Sequence, residues 1–211
     1  MKKNLPLAIA LLALLATPIA HADGFYGDGQ VVSNFVWRGI SQSNNNPALQ
    51  GGAGYRGPYG LYAALWGSTM ERDHAHVRAD LRGGMKQLLS SGIGWNVGIV
   101  THRFDESALN FTEMYLRLGI DGISGRISRD WQHRDTYLSL RDRMHLGSGF
   151  GLTLHAGHTS GAEVASYTDV AAGLTKRIES WTLGVWGSDT DLSSSVQGSG
   201  PHLWLSIGTV W

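Results

Sequence analysis

The stretch that decides the fold is His202-Leu-Trp-Leu-Ser-Ile-Gly-Thr-Val-Trp211, which contains no turn residue except one glycine. Its apolar and polar side chains alternate, with Leu203, Leu205 and Ile207 on one face and His202 and Ser206 on the other. Successive side chains of a β-strand point to opposite faces. One face of this strand therefore suits lipid and the other suits a mixed, partly polar interior, which is the pattern of a membrane-spanning β-strand.

The same period of two recurs upstream, and continuous helical periodicity is absent after the first 22 residues. Twelve strands are predicted, at residues 30–39, 47–56, 61–68, 76–87, 93–103, 111–120, 125–131, 136–146, 150–159, 167–178, 181–189 and 202–211. The connections alternate between long (such as 69–75) and short, and outer-membrane barrels pair long outer loops with short periplasmic turns. We therefore predict an all-β fold, an antiparallel up-and-down transmembrane β-barrel of twelve strands. A soluble β-sandwich predicts no such alternation.

The two ends of the chain predict export and assembly. Lys2 and Lys3, the apolar run 5–20 and the small-residue site Ala20-His21-Ala22 have the layout of a secretory signal peptide. The apolar run is shorter than the roughly 18–20 residues of a spanning helix, which disfavours an N-terminal anchor. We expect residues 1–22 to be a signal peptide and residues 23–211 to be a single barrel domain.

An even strand number places both termini on the periplasmic side of the outer membrane of a Gram-negative bacterium. Trp211 ends a lipid-facing row, and a terminal aromatic of this kind resembles the signal that outer-membrane barrels present to their assembly machinery. Trp211 is therefore the predicted assembly signal. Outer-membrane lipid and the barrel-assembly machinery are the predicted partners.

Composition excludes several other classes. Seventeen basic and seventeen acidic residues give no net charge, which does not indicate a nucleic-acid partner. The absence of cysteine argues against a small disulfide-stapled secreted domain. The 29 glycines suit tight turns and crowded strand contacts.

Two segments carry a family resemblance. Ser33-Asn-Phe-Val-Trp-Arg-Gly-Ile-Ser-Gln42, followed by Pro47-Ala-Leu-Gln-Gly51, resembles the opening motif of the TorF family of porin-like proteins, also called Gcw_chp proteins. Gly60-Leu-Tyr-Ala-Ala-Leu-Trp-Gly-Ser68 resembles the aromatic second hairpin of that family. The resemblance implies an outer-membrane barrel with a channel role, and it implies no substrate and no catalytic residue.

The residues that carry catalytic or metal chemistry elsewhere do not assemble into a motif here. His74 and His76 lie at a loop edge, and His155 and His158 fall on opposite faces of one strand, so no metal site or cofactor is predicted. His155 with Ser139 or Ser160 is the one arrangement that suggests an outer-membrane hydrolase. No G-x-S-x-G nucleophile motif accompanies it. We predict no catalytic residues and no enzyme activity; a barrel enzyme acting on lipid or peptide is the alternative.

The predicted strand phases place many charges inside the barrel. The inward basic residues are Arg38, Arg78, Arg82, Lys86, Arg117, Arg126, Arg141, Arg143 and Arg177, and the inward acids are Asp80, Glu113, Asp130 and Asp169. Inward aromatic residues are Tyr62, Trp66, Trp186 and Trp204. Because twelve strands fall between sealed eight-stranded and open sixteen-stranded barrels, we predict a porin with a narrow passage for small solutes that leans toward anions. The alternative is that these charges pair across the interior and fill a sealed structural barrel.

Two charged residues fit the predicted faces poorly. Arg129 and Asp142 fall on the lipid-facing phase of their strands. A β-bulge that shifts the phase and a position near the membrane interface both remain open as explanations.

Overall fold

The computed structural model describes residues 24–161 and 165–211, so the predicted signal peptide lies outside the described residues. The strands are β1 (Phe25–Val32), β2 (Val36–Trp37), β3 (Ile40–Ser41), β4 (Ala48–Arg56), β5 (Leu61–Arg72), β6 (Ala75–Leu88), β7 (Gly94–Phe104), β8 (Phe111–Ile120), β9 (Ile123–Asp130), β10 (Thr136–Gly147), β11 (Phe150–Ser160), β12 (Tyr167–Ile178), β13 (Trp181–Thr190) and β14 (His202–Val210). Two short 3-10 helices lie at Pro58–Gly60 and Ser107–Leu109. Within the described ranges, no helix is long and apolar enough to cross a membrane.

All strands except β2 and β3 form one closed barrel, in which each strand pairs antiparallel with its neighbours and β1 closes against β14. The closing seam ends in two backbone hydrogen bonds, from Gly27 N to Trp211 O (2.9 Å) and from Trp211 N to Gly27 O (3.0 Å). Closure removes the unpaired strand edges that would otherwise expose backbone polar groups to lipid. The predicted twelve-stranded antiparallel barrel is confirmed.

The two faces of the wall differ in the manner expected of a protein surrounded by lipid. The outer face exposes large apolar side chains, among them Leu203 (78%), Leu81 (60%) and Leu205 (58%). The inner face buries charges, including Asp80 (0%) and Arg78 (2%). Alternation of apolar-out and polar-in along every strand is the pattern of an outer-membrane barrel.

Long and short connections separate at the two ends of the barrel. The turn end carries Gly24, Trp211 and the connections 57–60, 89–93, 121–122, 148–149 and 179–180. The loop end carries the connections 33–47, 73–74, 105–110, 131–135, 161–166 and 191–201. One predicted long loop is wrong: residues 69–75 contain only a two-residue turn, Asp73-His74, because both residues adopt the left-handed φ (51° and 66°) of a tight hairpin turn. β5 and β6 are correspondingly longer than predicted.

The first predicted strand, residues 30–39, is misplaced. The wall strand is β1 at Phe25–Val32, and the chain leaves the wall after it. Gly27 serves close packing in the wall. A Cβ on Gly27 would lie 2.5 Å from the indole Nε1 of Trp211, so only glycine leaves room for that ring.

The strand register excludes a β-bulge as the explanation for the two misfitting charges. Strand pairing runs without a break through Arg129 and Asp142, so no bulge shifts their phase. Arg129 is the penultimate residue of β9, where its Nη1 donates to Thr136 Oγ1 (2.6 Å). Asp142 adjoins the 121–122 turn, since the N–H of the next residue, Arg143, donates to Gly122 O (3.2 Å). Charge costs less near a membrane interface than at the midplane.

Candidate functional site: the barrel lumen

The segment between β1 and β4 folds into the barrel as a small hairpin. In the β2–β3 pair, Val36 lies opposite Ser41 and Trp37 lies opposite Ile40, so Arg38 and Gly39 form the two-residue tip. Both tip residues have positive φ (51° and 74°), as a tight hairpin turn requires. We call residues 33–47 the inner loop and β2–β3 the inner hairpin. The inner loop contains most of the segment that resembles the family motif.

The inner hairpin reaches wall strands on several sides of the lumen. Arg38 Nη2 donates to Glu113 Oε1 on β8 (2.6 Å), and the guanidinium carbon lies 4.1 Å from the centre of the Tyr137 ring on β10. Gly39 packs so closely on the far wall that a Cβ there would lie 2.8 Å from Asp169 Cβ on β12. The ring of Trp37 lies 4.5 Å from the guanidinium carbon of Arg78 on β6. Contacts with β6, β8, β10 and β12 show that the hairpin crosses the barrel interior.

The base of the inner loop is packed into the loop end. Ser41, Gln42 and Ser43 are all buried, although their side chains are polar. Ser41 N donates to Gly198 O in the 191–201 connection (2.8 Å), and Ser43 Oγ accepts from Phe35 N (2.9 Å). Buried polar groups of this kind are stable when they are hydrogen-bonded.

An apolar cluster supports the same end of the barrel. Val32, Phe35, Ala48, Met70 and Ala75 form its buried part, and Trp66 and Trp204 pack against it. The ring centres of Phe35 and Trp66 are 5.7 Å apart in an edge-on arrangement. The inner loop is therefore held at the loop end by hydrophobic packing as well as by hydrogen bonds.

A network of buried charges lies under the hairpin. Asp80 accepts from Arg78 Nε (2.8 Å) and Arg82 Nη2 (2.9 Å), and its Oδ1 also lies 2.7 Å from His102 Nδ1. His102 continues to Glu113, with Nε2 and Oε2 3.7 Å apart. The Asp80 and Glu113 side chains are 1% and 3% exposed. In this part of the lumen the charges pair across the interior, as the alternative reading predicted.

A second polar cluster lies beside the hairpin tip. Tyr137 OH donates to Asp169 Oδ2 (3.1 Å), and His155 Nε2 lies 3.1 Å from Asp169 Oδ1 and 2.9 Å from Tyr137 OH. In the described ranges no serine is hydrogen-bonded to His155, and Ser160 lies on the opposite phase of β11. A catalytic triad is defined by such contacts, so the arrangement suggested by the sequence is not assembled.

The part of the chain that the structure describes also contains no candidate metal-binding site. No group of three or more histidine, cysteine, aspartate or glutamate side chains is placed there to hold an ion. His158, which the sequence set beside His155, is exposed and contacts Thr168 Oγ1 at 3.2 Å.

Below the hairpin the lumen holds a cavity of about 560 Å³. Eight basic and four acidic side chains line it, an excess of four positive charges: Arg38, Arg78, Arg82, Lys86, Arg117, Arg126, Arg141 and Arg143 against Asp28, Asp80, Glu113 and Asp169. Lys86, Arg117 and Arg143 also line a groove with Gly92 and Asp121 of the short turns, so the basic wall continues to the turn end. The cavity size falls in the range of small-molecule sites, about 300–1,000 Å³.

Most of the predicted lumen residues line this cavity. The residues that do so are Arg38, Tyr62, Trp66, Arg78, Asp80, Arg82, Lys86, Glu113, Arg117, Arg126, Arg141, Arg143, Asp169, Trp186 and Trp204. Arg38 does so from the hairpin tip and not from a wall strand. Tyr62 OH contacts Tyr115 OH and donates to Asn96 Oδ1 (2.9 Å), while the rings of Trp186 and Trp204 stack with centres 6.2 Å apart.

Two predicted residues lie elsewhere, and several were missed. Arg177 is exposed near the end of β12, and Asp130 accepts from Gln132 N at the loop end (2.8 Å). Asp28 was missed because β1 was misplaced. Tyr115 and Tyr137 lie on the same strand phases as Glu113 and Ser139, so the alternation could have found them.

The closed barrel, apolar outside and charged inside, defines a protein with the fold of outer-membrane porins, and solved structures agree. The KdgM porin superposes with a TM-score of 0.64 at 9% identity, covering 87% of this chain and 98% of its own. The NanC porin superposes with a TM-score of 0.64 at 12% identity, covering 88% of this chain and 98% of its own. Omp33 of Acinetobacter baumannii superposes with a TM-score of 0.55 at 6% identity, covering 89% of this chain and 98% of its own. At these identities the likeness is one of fold.

The chain belongs to the Gcw_chp family, described as bacterial protein of unknown function, whose model matches residues 20–201. The resemblance to Gcw_chp proteins that the sequence suggested is thereby confirmed. No curated protein matches the chain.

Proposed function

We propose that this protein is an outer-membrane channel for small solutes that favours anions. The observation that carries the proposal is the cavity with eight basic and four acidic side chains in its wall. A narrow passage with low-dielectric walls focuses the field of such an excess and concentrates counter-ions. Basic rings are an established route to anion selectivity in pores.

The location and orientation follow from the same proposal. The apolar outer face suits outer-membrane lipid, and the short turns with both described chain ends suit the periplasmic side. The pore-lining role belongs to the basic and aromatic side chains of the cavity wall, and the inner hairpin is the constriction that a solute must pass. KdgM, one of the porins of similar fold, is known in complex with disordered oligogalacturonate.

A sealed structural barrel is the second candidate, because the inner hairpin crosses the lumen. Conductance of the purified protein in a planar bilayer separates the candidates. Discrete current steps support a channel, and silence supports the sealed barrel. Lipid or peptide hydrolysis by a silent protein would instead support an enzyme.

Selectivity is tested by the reversal potential under a KCl gradient. We expect chloride to be preferred over potassium and the bias to weaken as ionic strength rises, because salt screens the lumen charges. Arg141→Glu should reduce the preference more than Arg82→Glu, since Arg82 is already paired with Asp80 at 2.9 Å. Arg177→Glu, a matched charge change outside the cavity, is the control. Potassium preference in the unmodified protein contradicts the anion assignment.

A further inference from the structure

Four arginines converge on one patch of the lumen wall. Arg117 lies on β8, Arg126 on β9, and Arg141 and Arg143 on β10, and all four line the same cavity. Arg117 and Arg126 are direct cross-strand partners, and Arg141 pairs with Ser124, two residues before Arg126 on the same face. Side chains directly opposite each other on antiparallel strands have Cβ atoms about 4.5–5.5 Å apart. The wall therefore places like charges side by side.

Little within the protein offsets this concentration of charge. Arg126 is partly held: its Nε donates to Ser128 Oγ (2.8 Å), its Nη2 lies 3.8 Å from Glu113 Oε2, and its guanidinium carbon lies 4.2 Å from the centre of the Tyr115 ring. Arg117, Arg141 and Arg143 make no ion pair and no side-chain hydrogen bond within residues 24–161 and 165–211. Directly opposed like charges destabilise a sheet.

The acids of the cavity are mostly committed elsewhere. Asp80 pairs with Arg78 and Arg82, and Glu113 pairs with Arg38 at 2.6 Å. Asp169 is bound by Tyr137 and His155. The guanidinium groups of Arg117, Arg141 and Arg143 therefore keep their hydrogen-bonding capacity for a ligand, and Arg126 keeps part of its own.

We propose that Arg117, Arg126, Arg141 and Arg143 form a binding site for a small multivalent oxyanion. Carboxylate and phosphate groups match the planar guanidinium fork, which gives paired, charge-assisted hydrogen bonds. Four cations favour a ligand with more than one negative group over a monovalent anion. The inference deepens the proposed function, on which it rests, by naming the class of solute that the lumen holds on its way through.

Binding is measured on purified protein in a neutral detergent, apart from conductance. Citrate and pyrophosphate are the probes, and acetate is the monovalent comparison. We expect citrate, pyrophosphate or both to raise the unfolding temperature and to give a calorimetric signal, with acetate much weaker at equal concentration. Which of the two binds more tightly distinguishes a polycarboxylate solute from a phosphate-bearing one.

Variants assign the site. Arg141→Gln and Arg117→Gln should each weaken binding by about tenfold or more, the scale of a lost charge-assisted pair. Arg177→Gln removes the same charge outside the cavity and should leave binding unchanged. Arg117→Gln should also raise the unfolding temperature of the ligand-free protein, because it relieves the opposition with Arg126. If Arg117 only stabilised the fold, Arg117→Gln would instead lower the unfolding temperature.

Binding of neither probe, or equal loss in Arg177→Gln, overturns the site. A protein that conducts but binds neither probe refutes this inference and leaves the channel proposal standing. A protein that binds but never conducts keeps the site and refutes the channel.

Discussion

Removing the hairpin tip contact should open the lumen. Arg38 Nη2 lies 2.6 Å from Glu113 Oε1, with the two side chains 12% and 3% exposed, so water screens the pair weakly. A hydrogen bond to a charged group contributes about 1.5–3 kcal/mol, and the cation–π contact with Tyr137 adds roughly 0.5–1 kcal/mol. Loss of both contributions, about 2–4 kcal/mol, changes the ratio of displaced to seated hairpin by roughly thirtyfold to several hundredfold.

The assay is single-channel recording of Arg38→Ala beside Glu113→Gln. Both variants weaken the same contact: Arg38→Ala removes the donor and a positive charge from the lumen, and Glu113→Gln leaves a neutral acceptor and removes a negative charge. We expect longer or more frequent openings in both, whereas a pure charge effect would shift their selectivities in opposite directions without opening either. Arg72→Ala, which removes an exposed contact with Asp73 (3.0 Å), is the control and should behave as the unmodified protein does. Unchanged open times in both lumen variants would refute the role of the hairpin as the constriction.

Three further predictions concern closure of the barrel. The unheated protein should resist detergent and migrate differently from the boiled sample on a gel, because a closed barrel has no free edge; recovery as a soluble periplasmic monomer would contradict the location. Deleting Trp211 or replacing it by Asp should lower the yield of protein assembled in the membrane, and normal yield of both variants would refute its role as assembly signal. Gly27→Val should lower the unfolding temperature because its Cβ would lie 2.5 Å from the Trp211 indole. Gly67→Val, whose Cβ would lie 3.6 Å from one backbone oxygen, should lower the unfolding temperature much less. An equal decrease in both variants would show that the packing of the Trp211 indole on Gly27 is unimportant for stability.

The wall of this barrel could be read from the sequence because lipid imposes a simple rule on each strand. The predicted strands 111–120 and 167–178 coincide with β8 and β12, since alternation alone decides which side chains face outward. The same rule fails where the chain leaves the wall. Phe35, Val36 and Trp37 are as apolar as a strand, but they bury against other residues inside the lumen and not against lipid.

The partners of the charged side chains in the lumen could not be predicted without the three-dimensional fold. Alternation put Arg38 inside, but only the structure shows that its partner is Glu113, 75 residues away. The alternation likewise could not show that Asp80 forms an ion pair with Arg82 whereas Arg141 has no such partner among the described residues. Partner choice depends on register between strands, and a strand pattern defines a face without defining its neighbours.

The seam between β1 and β14 determines when folding can finish. Its ladder runs from Val32–Ser206 to Asp28–Val210 and ends at the hydrogen bonds between Gly27 and Trp211, so the ring of twelve strands is completed only when β14 is available. Contacts between residues so distant in the chain form slowly, because the chain loses conformational entropy on loop closure before strand pairing contributes any stabilisation. A truncated chain would keep two unsatisfied strand edges, each a template for pairing with another molecule. A product that lacks β14 would therefore be left open to aggregation.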